Sequence, residues 1–146
     1  MKNLFLSLLF FFSIANSIAQ VTPEVKSNWE TLSENNEVKI SKRTVFANDV
    51  KNGTHIEYEQ LQYKNKTAKQ VVLNFYVDAV YTGKKGKTNL DDEDYRAILL
   101  DPNQTFTPNF LKVNDKPHFI FKRLTNYTNK PTLTSLKLVK LKTTVL

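Results

Sequence analysis

Few side chains in this sequence can do chemistry, and their spacing decides what each could do. Asp91-Asp92-Glu93-Asp94 sets carboxylates side by side. A hard cation such as calcium takes roughly six to eight oxygens. The run lacks the alternating ligand positions and internal glycine of an EF-hand loop. It reads as a solvated turn ahead of a strand starting at Tyr95, and no metal site is assigned. His55 and His118 each stand near the start of an apolar stretch, where an imidazole can serve as a base or a ligand. A nucleophilic site needs base, nucleophile and orienting acid to converge. After residue 20 the serines are Ser27, Ser33, Ser41 and Ser135, and none lies in a Gly-x-Ser-x-Gly elbow. Glu57 and Glu59 would share one face of a strand about 7 Å apart. That separation suits an inverting glycosidase pair, yet strands meet it by chance.

Binding chemistry is better represented. Lys84, Lys85 and Lys87 surround Gly86, and Lys137, Lys140 and Lys142 recur in the last apolar stretch. Such clusters suit a polyanion or acidic glycan, or they keep strand edges unpaired. The arginines are only Arg43, Arg96 and Arg123. Forked guanidinium recognition of phosphate is therefore scarce, and no nucleic-acid partner is expected. The chain carries 6 tyrosines, namely Tyr58, Tyr63, Tyr76, Tyr81, Tyr95 and Tyr127. Tyrosine offers an apolar ring with a polar tip, which suits docking and sugar-binding faces. Tyr81 and Tyr95, with Lys84, Lys85 and Lys87, are the candidate binding residues.

Composition sets the compartment and excludes several enzyme classes. The sequence has 146 residues, no cysteine, 3 glycines and a formal net charge of +7. Without cysteine there are no disulfides, thiolate metal sites, iron–sulfur clusters or cysteine nucleophiles. Gly53, Gly83 and Gly86 cannot form a dinucleotide fingerprint or a phosphate loop. No cofactor is expected. The opening Met1-Lys2-Asn3, the apolar stretch from Leu4 to Phe12 and the small residues Ser17 and Ala19 have the three parts of a secretory signal. Cleavage is placed after Ala19, so residues 1–19 are the signal and 20–146 form one domain. The apolar stretch is shorter than the roughly 20 residues of a spanning helix, and no span is expected after cleavage. Export without cysteines fits a bacterial periplasm or medium.

The elements that must position these residues alternate with period two. Val38 to Phe46, His55 to Tyr63, Val71 to Asp78, Tyr95 to Leu100, His118 to Leu124 and Leu136 to Thr143 read as strands. The Leu138-Val139 doublet marks a bulge or phase shift. Asn35-Asn36, Lys51 to Thr54, Lys64 to Lys66, Gly83 to Gly86, Asp101 to Asn103 and Val113 to Asp115 are turns. Thr125 to Ser135 reads as a long loop or loose edge. Residues 23–34 fit a strand or a short helix, with the strand favoured. The pattern predicts an all-β, immunoglobulin-like antiparallel sandwich of about seven strands, with a small β-barrel as the alternative.

Two stretches carry a resemblance: Trp29 to Ile40 and Tyr58 to Thr67, followed by Tyr81-Thr82-Gly83 and Asp101-Pro102-Asn103-Gln104-Thr105. In this order they resemble a group of small, uncharacterised exported proteins of Gram-negative bacteria with an immunoglobulin-like sandwich. The resemblance implies that an asparagine in the second stretch turns the chain between two strands. It implies a fold and a compartment, and no activity or site residue. The expected function is an exported, non-enzymatic module that binds an envelope or extracellular protein or glycan. The alternative is a small secreted inhibitor or a polyanion or glycan binder working through its basic loops.

Overall fold

The computed structural model describes residues 21, 23–49, 52–84 and 90–146. The expected signal segment, Lys85 and Lys87 lie outside the described residues. The chain forms β1 (Glu24–Val25), β2 (Glu30–Glu34), β3 (Val38–Asp49), β4 (Thr54–Asn65), β5 (Val71–Tyr81), β6 (Tyr95–Leu100), β7 (Thr105–Phe106), β8 (Phe119–Leu124) and β9 (Leu133–Val145). Short 3-10 turns occupy Asp92–Asp94 and Val113–His118. No helix among the described residues is long and apolar enough to cross a membrane.

All pairings are antiparallel. One sheet runs β1-β3-β4-β7, with β2 also on β3 and β8 also on β4; the second runs β6-β5-β9. Neither closes into a barrel, so the sandwich stands and the barrel alternative falls. Alternation places Val38 and Ile40 of β3 and Leu61 and Tyr63 of β4 on one face. They meet Val71, Leu73, Phe75 and Val77 of β5 and Ile98 and Leu100 of β6 in one core. Burying one such aliphatic or aromatic side chain stabilises the fold by about 1.5–3 kcal/mol. These residues hold the sheets together without a cross-link. Gly53 and Gly83 take positive φ at the ends of strand connections, where a glycine avoids the Cβ penalty.

The elements follow the sequence pattern, with four differences. Residues 23–34 are strand as favoured, broken into β1 and β2 around Lys26–Trp29. The described residues hold nine strands rather than about seven, because the strand expected at 23–34 divides into β1 and β2 and because β7 is a two-residue pairing too short to show periodicity. The loop after β8 ends at Thr132; of the stretch read as a loop or loose edge, the last residues, Leu133 to Ser135, are edge, pairing with β5 as the start of β9. The bulge expected at Leu138-Val139 falls just beyond it. Asn74 opposes Lys142 and Tyr76 opposes Val139, so Lys140 and Leu141 together face Phe75. Lys140 takes φ 52°. Leu136 and Leu138 point inward two apart, and the extra residue lets Leu141 point inward three further on.

Candidate binding surface

The outer face of the three-stranded sheet gathers the exposed aromatic and basic residues. The inward residues of β5 are odd-numbered from Val71 to Val77, so Val72, Asn74, Tyr76 and Asp78 point outward. Opposite them stand Leu99, Ala97 and Tyr95 of β6, and Thr144, Lys142, Val139 and Lys137 of β9. The Tyr76 and Tyr95 rings lie 5.3 Å apart. The Tyr95 hydroxyl donates to Asn74 Oδ1 at 2.6 Å, which fixes the ring's tilt. Lys140 Nζ sits 5.1 Å from the Tyr76 centroid, on the same face because of the bulge. Tyr95 is 41% exposed and Leu99 57%. A tyrosine pair beside an exposed leucine is an apolar platform with polar tips.

Charge is uneven across this face. Among the described residues, Lys137, Lys140 and Lys142 have no carboxylate within ion-pair distance. Asp78 stands directly opposite Lys137, yet its buried Oδ1 has no hydrogen-bond partner among the described residues. Strand β6 contributes no outward-facing charge. The platform is thus basic along β9 and neutral along β6.

Behind β6 lies a cleft of about 270 Å³ between the two sheets, walled by Val77, Ala79, Phe119, Ile120 and Phe121 with Tyr81 and Arg96. Its polar groups are already engaged. Tyr81 donates to the Phe121 carbonyl at 2.9 Å, and burial raises its phenol pKa. Arg96 Nε donates to the Pro117 carbonyl at 3.0 Å, and Nη1 to the carbonyls of Tyr95 and Glu93. Burial lowers its guanidinium pKa. Arg96 therefore clasps both 3-10 turns to β6. Next to the cleft, His118 Nδ1 is 2.9 Å from the Tyr63 hydroxyl. Burial first, and then Arg96, push the His118 imidazole down to about 4, against a smaller opposing pull from Asp115. Burial holds the Tyr63 phenol well above its usual range. The pair is therefore a neutral phenol hydrogen-bonded to a neutral imidazole.

The remaining candidates are held by local partners. Tyr95 stands on the outer face and Tyr81 points into the cleft, so the structure does not bring them together. Tyr63, one of the six tyrosines weighed for docking, is fully buried and belongs to the core, since alternation also places an aromatic inward. Lys84 follows β5 in the turn at Gly83, its N–H bonded to the Tyr81 carbonyl at 3.0 Å. Asp91 caps the 3-10 turn, accepting from the Asp94 backbone, while its own N–H donates to Asp94 Oδ2 at 3.2 Å. No cluster of three histidine or acidic side chains suited to a metal occurs among the described residues. Glu57 receives Arg123 Nε at 2.8 Å and Nη2 at 3.2 Å. Glu59 is 4% exposed and receives Lys122 Nζ at 2.8 Å, with Lys42 at 3.9 Å. His55 stacks on Phe46 at 6.2 Å.

Compared with protein-family models, curated proteins and solved structures, the chain finds no match. The reading of its surface therefore rests on geometry. Sequence reasoning named Tyr95 and missed Tyr76 and Leu99 as its neighbours. The signal for Tyr76 was present in the alternation of β5. Leu99 was hidden inside an unbroken apolar run, Ala97 to Leu100, in which inward and outward residues look alike.

Proposed function

We propose that the mature chain is an exported, non-enzymatic binding module. It docks an envelope or extracellular protein through the outer face of its three-stranded sheet. The observation that carries this reading is the cluster of Tyr76, Tyr95 and Leu99, two of them strongly exposed, on a rigid sheet face. Sites of docking concentrate aromatic anchors in this way. In the neighbouring cleft Tyr81 and Arg96 are spent on backbone carbonyls and the Asp94 carboxylate accepts from the Asp91 N–H, which favours docking over turnover. Export is supported by the three-part pattern of residues 1–19; mass spectrometry should give Gln20 as the mature N-terminus, and an intact Met1 would refute it. The test of function is capture from envelope extract. A specific partner should bind the mature protein and be lost in the Tyr76→Ala, Tyr95→Ala double variant. Retention of that partner, or turnover in a hydrolase screen that His118→Ala abolishes, would refute the reading.

A second reading has its own support in the lysine stripe of β9. Three unpaired ammonium groups on one strand suit an acidic glycan. It expects retention on heparin that collapses with added salt and with Lys137→Glu, Lys140→Glu and Lys142→Glu together. Salt-independent or absent retention would remove it.

A further inference from the structure

We propose that β6 accepts an added β-strand from a partner protein, in the form of an extended segment with basic residues at both ends. The inference rests on the docking reading above and names the partner's chemistry.

The two edges of the three-stranded sheet differ. Along β9, Lys137, Lys140 and Lys142 and a left-handed bulge interrupt any incoming ladder, which is how natural proteins guard an edge. Along β6 the outward side chains are Tyr95, Ala97 and Leu99, and the one charged residue, Arg96, is turned inward onto backbone carbonyls. Among the described residues this edge carries no guard and pairs with β5 alone.

The backbone of β6 shows which groups are offered. The Tyr95 N–H donates to the Asp92 carbonyl, and the Tyr95 carbonyl accepts from Arg96 Nη1 at 2.8 Å. Both groups of Tyr95 therefore point away from β5. Antiparallel pairing alternates inward- and outward-directed residues, so the N–H and C=O of Ala97 and Leu99 point along the open edge as well. Tyr95 is closed by its own neighbours, and Ala97 and Leu99 are left to receive a strand. Their main-chain groups supply affinity and the exposed Leu99 side chain supplies selectivity, as in other strand additions.

Charge fixes the class of the occupant. Asp92 and Glu93 precede β6 and Asp101 follows it. A strand laid along β6 in either direction ends beside carboxylates, so lysine or arginine at its ends is matched. A second copy of β6, laid antiparallel, would set Asp101 of each chain near Asp92 and Glu93 of the other. Like charge at both ends argues against it.

The test uses the mature protein and a short synthetic peptide of alternating threonine and valine with lysines at both ends. At saturation the peptide should slow amide exchange at Ala97 and Leu99 by about tenfold. The same peptide ended in glutamates should bind at least about tenfold more weakly. Ala97→Pro and Leu99→Pro remove outward N–H groups, a change that edge strands tolerate. Both variants should keep the wild-type urea midpoint and lose the peptide. Unchanged exchange at both amides under millimolar peptide overturns the proposal, and equal binding of the two peptides overturns its charge rule. A dimer in sedimentation that Ala97→Pro dissolves would give the edge to a second copy instead. An envelope partner lost with Tyr76→Ala and Tyr95→Ala but kept with Ala97→Pro leaves the docking face standing and removes the edge. A partner kept in every variant removes both.

Discussion

Asn65 is fully buried at the end of β4, and its amide ties together three segments that connect the sheets. Nδ2 donates to the Lys69 carbonyl at 2.7 Å and the Asp101 carbonyl at 2.8 Å, with the Leu100 carbonyl further off at 3.4 Å. Oδ1 accepts from Thr67 N and Thr67 Oγ1, both at 2.9 Å. Asn65→Ala removes these bonds and leaves carbonyls that must find water or go unpaired. At about 1 kcal/mol net for each short bond, the expected loss is about 3–4 kcal/mol. That is a large share of the roughly 5–15 kcal/mol that holds a domain folded. Asn65→Asp is the sharper probe because it keeps the shape and replaces the amide donor with a carboxylate facing three carbonyls. The folded-state carboxyl pKa of that variant must rise above its unfolded value. The deficit relative to wild type is then greatest at neutral pH and shrinks as pH falls through the raised pKa. Urea unfolding followed by the fluorescence of the single Trp29 measures both. A cost below 1 kcal/mol for Asn65→Ala, or an Asn65→Asp deficit that ignores pH, would refute the account.

Three further outcomes are expected. His118 titrates near 4 in the folded protein against 6.5 when unfolded, so the unfolded chain binds more protons between these values. Its contribution is complete above pH 6.5 and is lost as pH falls toward 4. Discounted for the ring's partial exposure, it amounts to about 2 kcal/mol. His118→Gln should flatten stability over that window in denaturant titrations, and an unchanged slope would count against the burial of the imidazole beside Arg96. Lys122→Met leaves the buried Glu59 carboxylate with the Thr44 hydroxyl and the more distant Lys42 and should cost about 2–3 kcal/mol; adding Glu59→Gln should recover most of it, and strict additivity in the cycle would show the pair to be uncoupled. Lys140→Val forces a β-branched residue into the left-handed region and should lower stability by about 1–2 kcal/mol, whereas Lys140→Gly should not, as thermal unfolding will show.

How far the sequence revealed this fold depended on whether local periodicity and tertiary placement agreed. The long strands β3, β4, β5 and β9 alternate strongly enough to be read directly, as do the turns built on Asn35 and Asp101. Asn35 shows why: its Oδ1 accepts from the N–H groups of Glu37 and Val38 at 2.9 and 2.7 Å, a local turn that needs no distant partner. The asparagine expected to turn the chain in the second stretch is Asn65; its Oδ1 makes the same kind of local bond, to the Thr67 N–H, and what no local pattern shows is its donation across to the Asp101 carbonyl. The strand β7 was invisible because two paired residues carry no period. On the surface, Tyr95 was readable as a polar-tipped aromatic. The separation of Tyr81 from it was not, because Tyr81 sits inward at the end of β5, where the loss of alternation erases the distinction between faces.

The lysines of β9 have two possible roles, and the backbone beneath them favours one. A stripe that serves only to hold an anionic chain needs exposed ammonium groups and a regular strand. Here the central lysine sits at the bulge, in a left-handed conformation that costs roughly 1–2 kcal/mol for a residue with a Cβ, and its ammonium lies over the Tyr76 ring. An interrupted ladder is of no use to a bound polyanion, yet it prevents a stray strand from pairing with a thirteen-residue edge. The bulge also brings Leu141 inward, so core packing and edge protection come from one backbone irregularity. No comparable device exists on β6, although it belongs to the same sheet and exposes Leu99. A chain that blocks one edge at a cost and leaves the other flat and uncharged is best understood if the second edge is meant to be occupied. On the reading proposed above, the three lysines of β9 keep that edge unpaired, and the partner strand meets the neutral edge on the other side of β5.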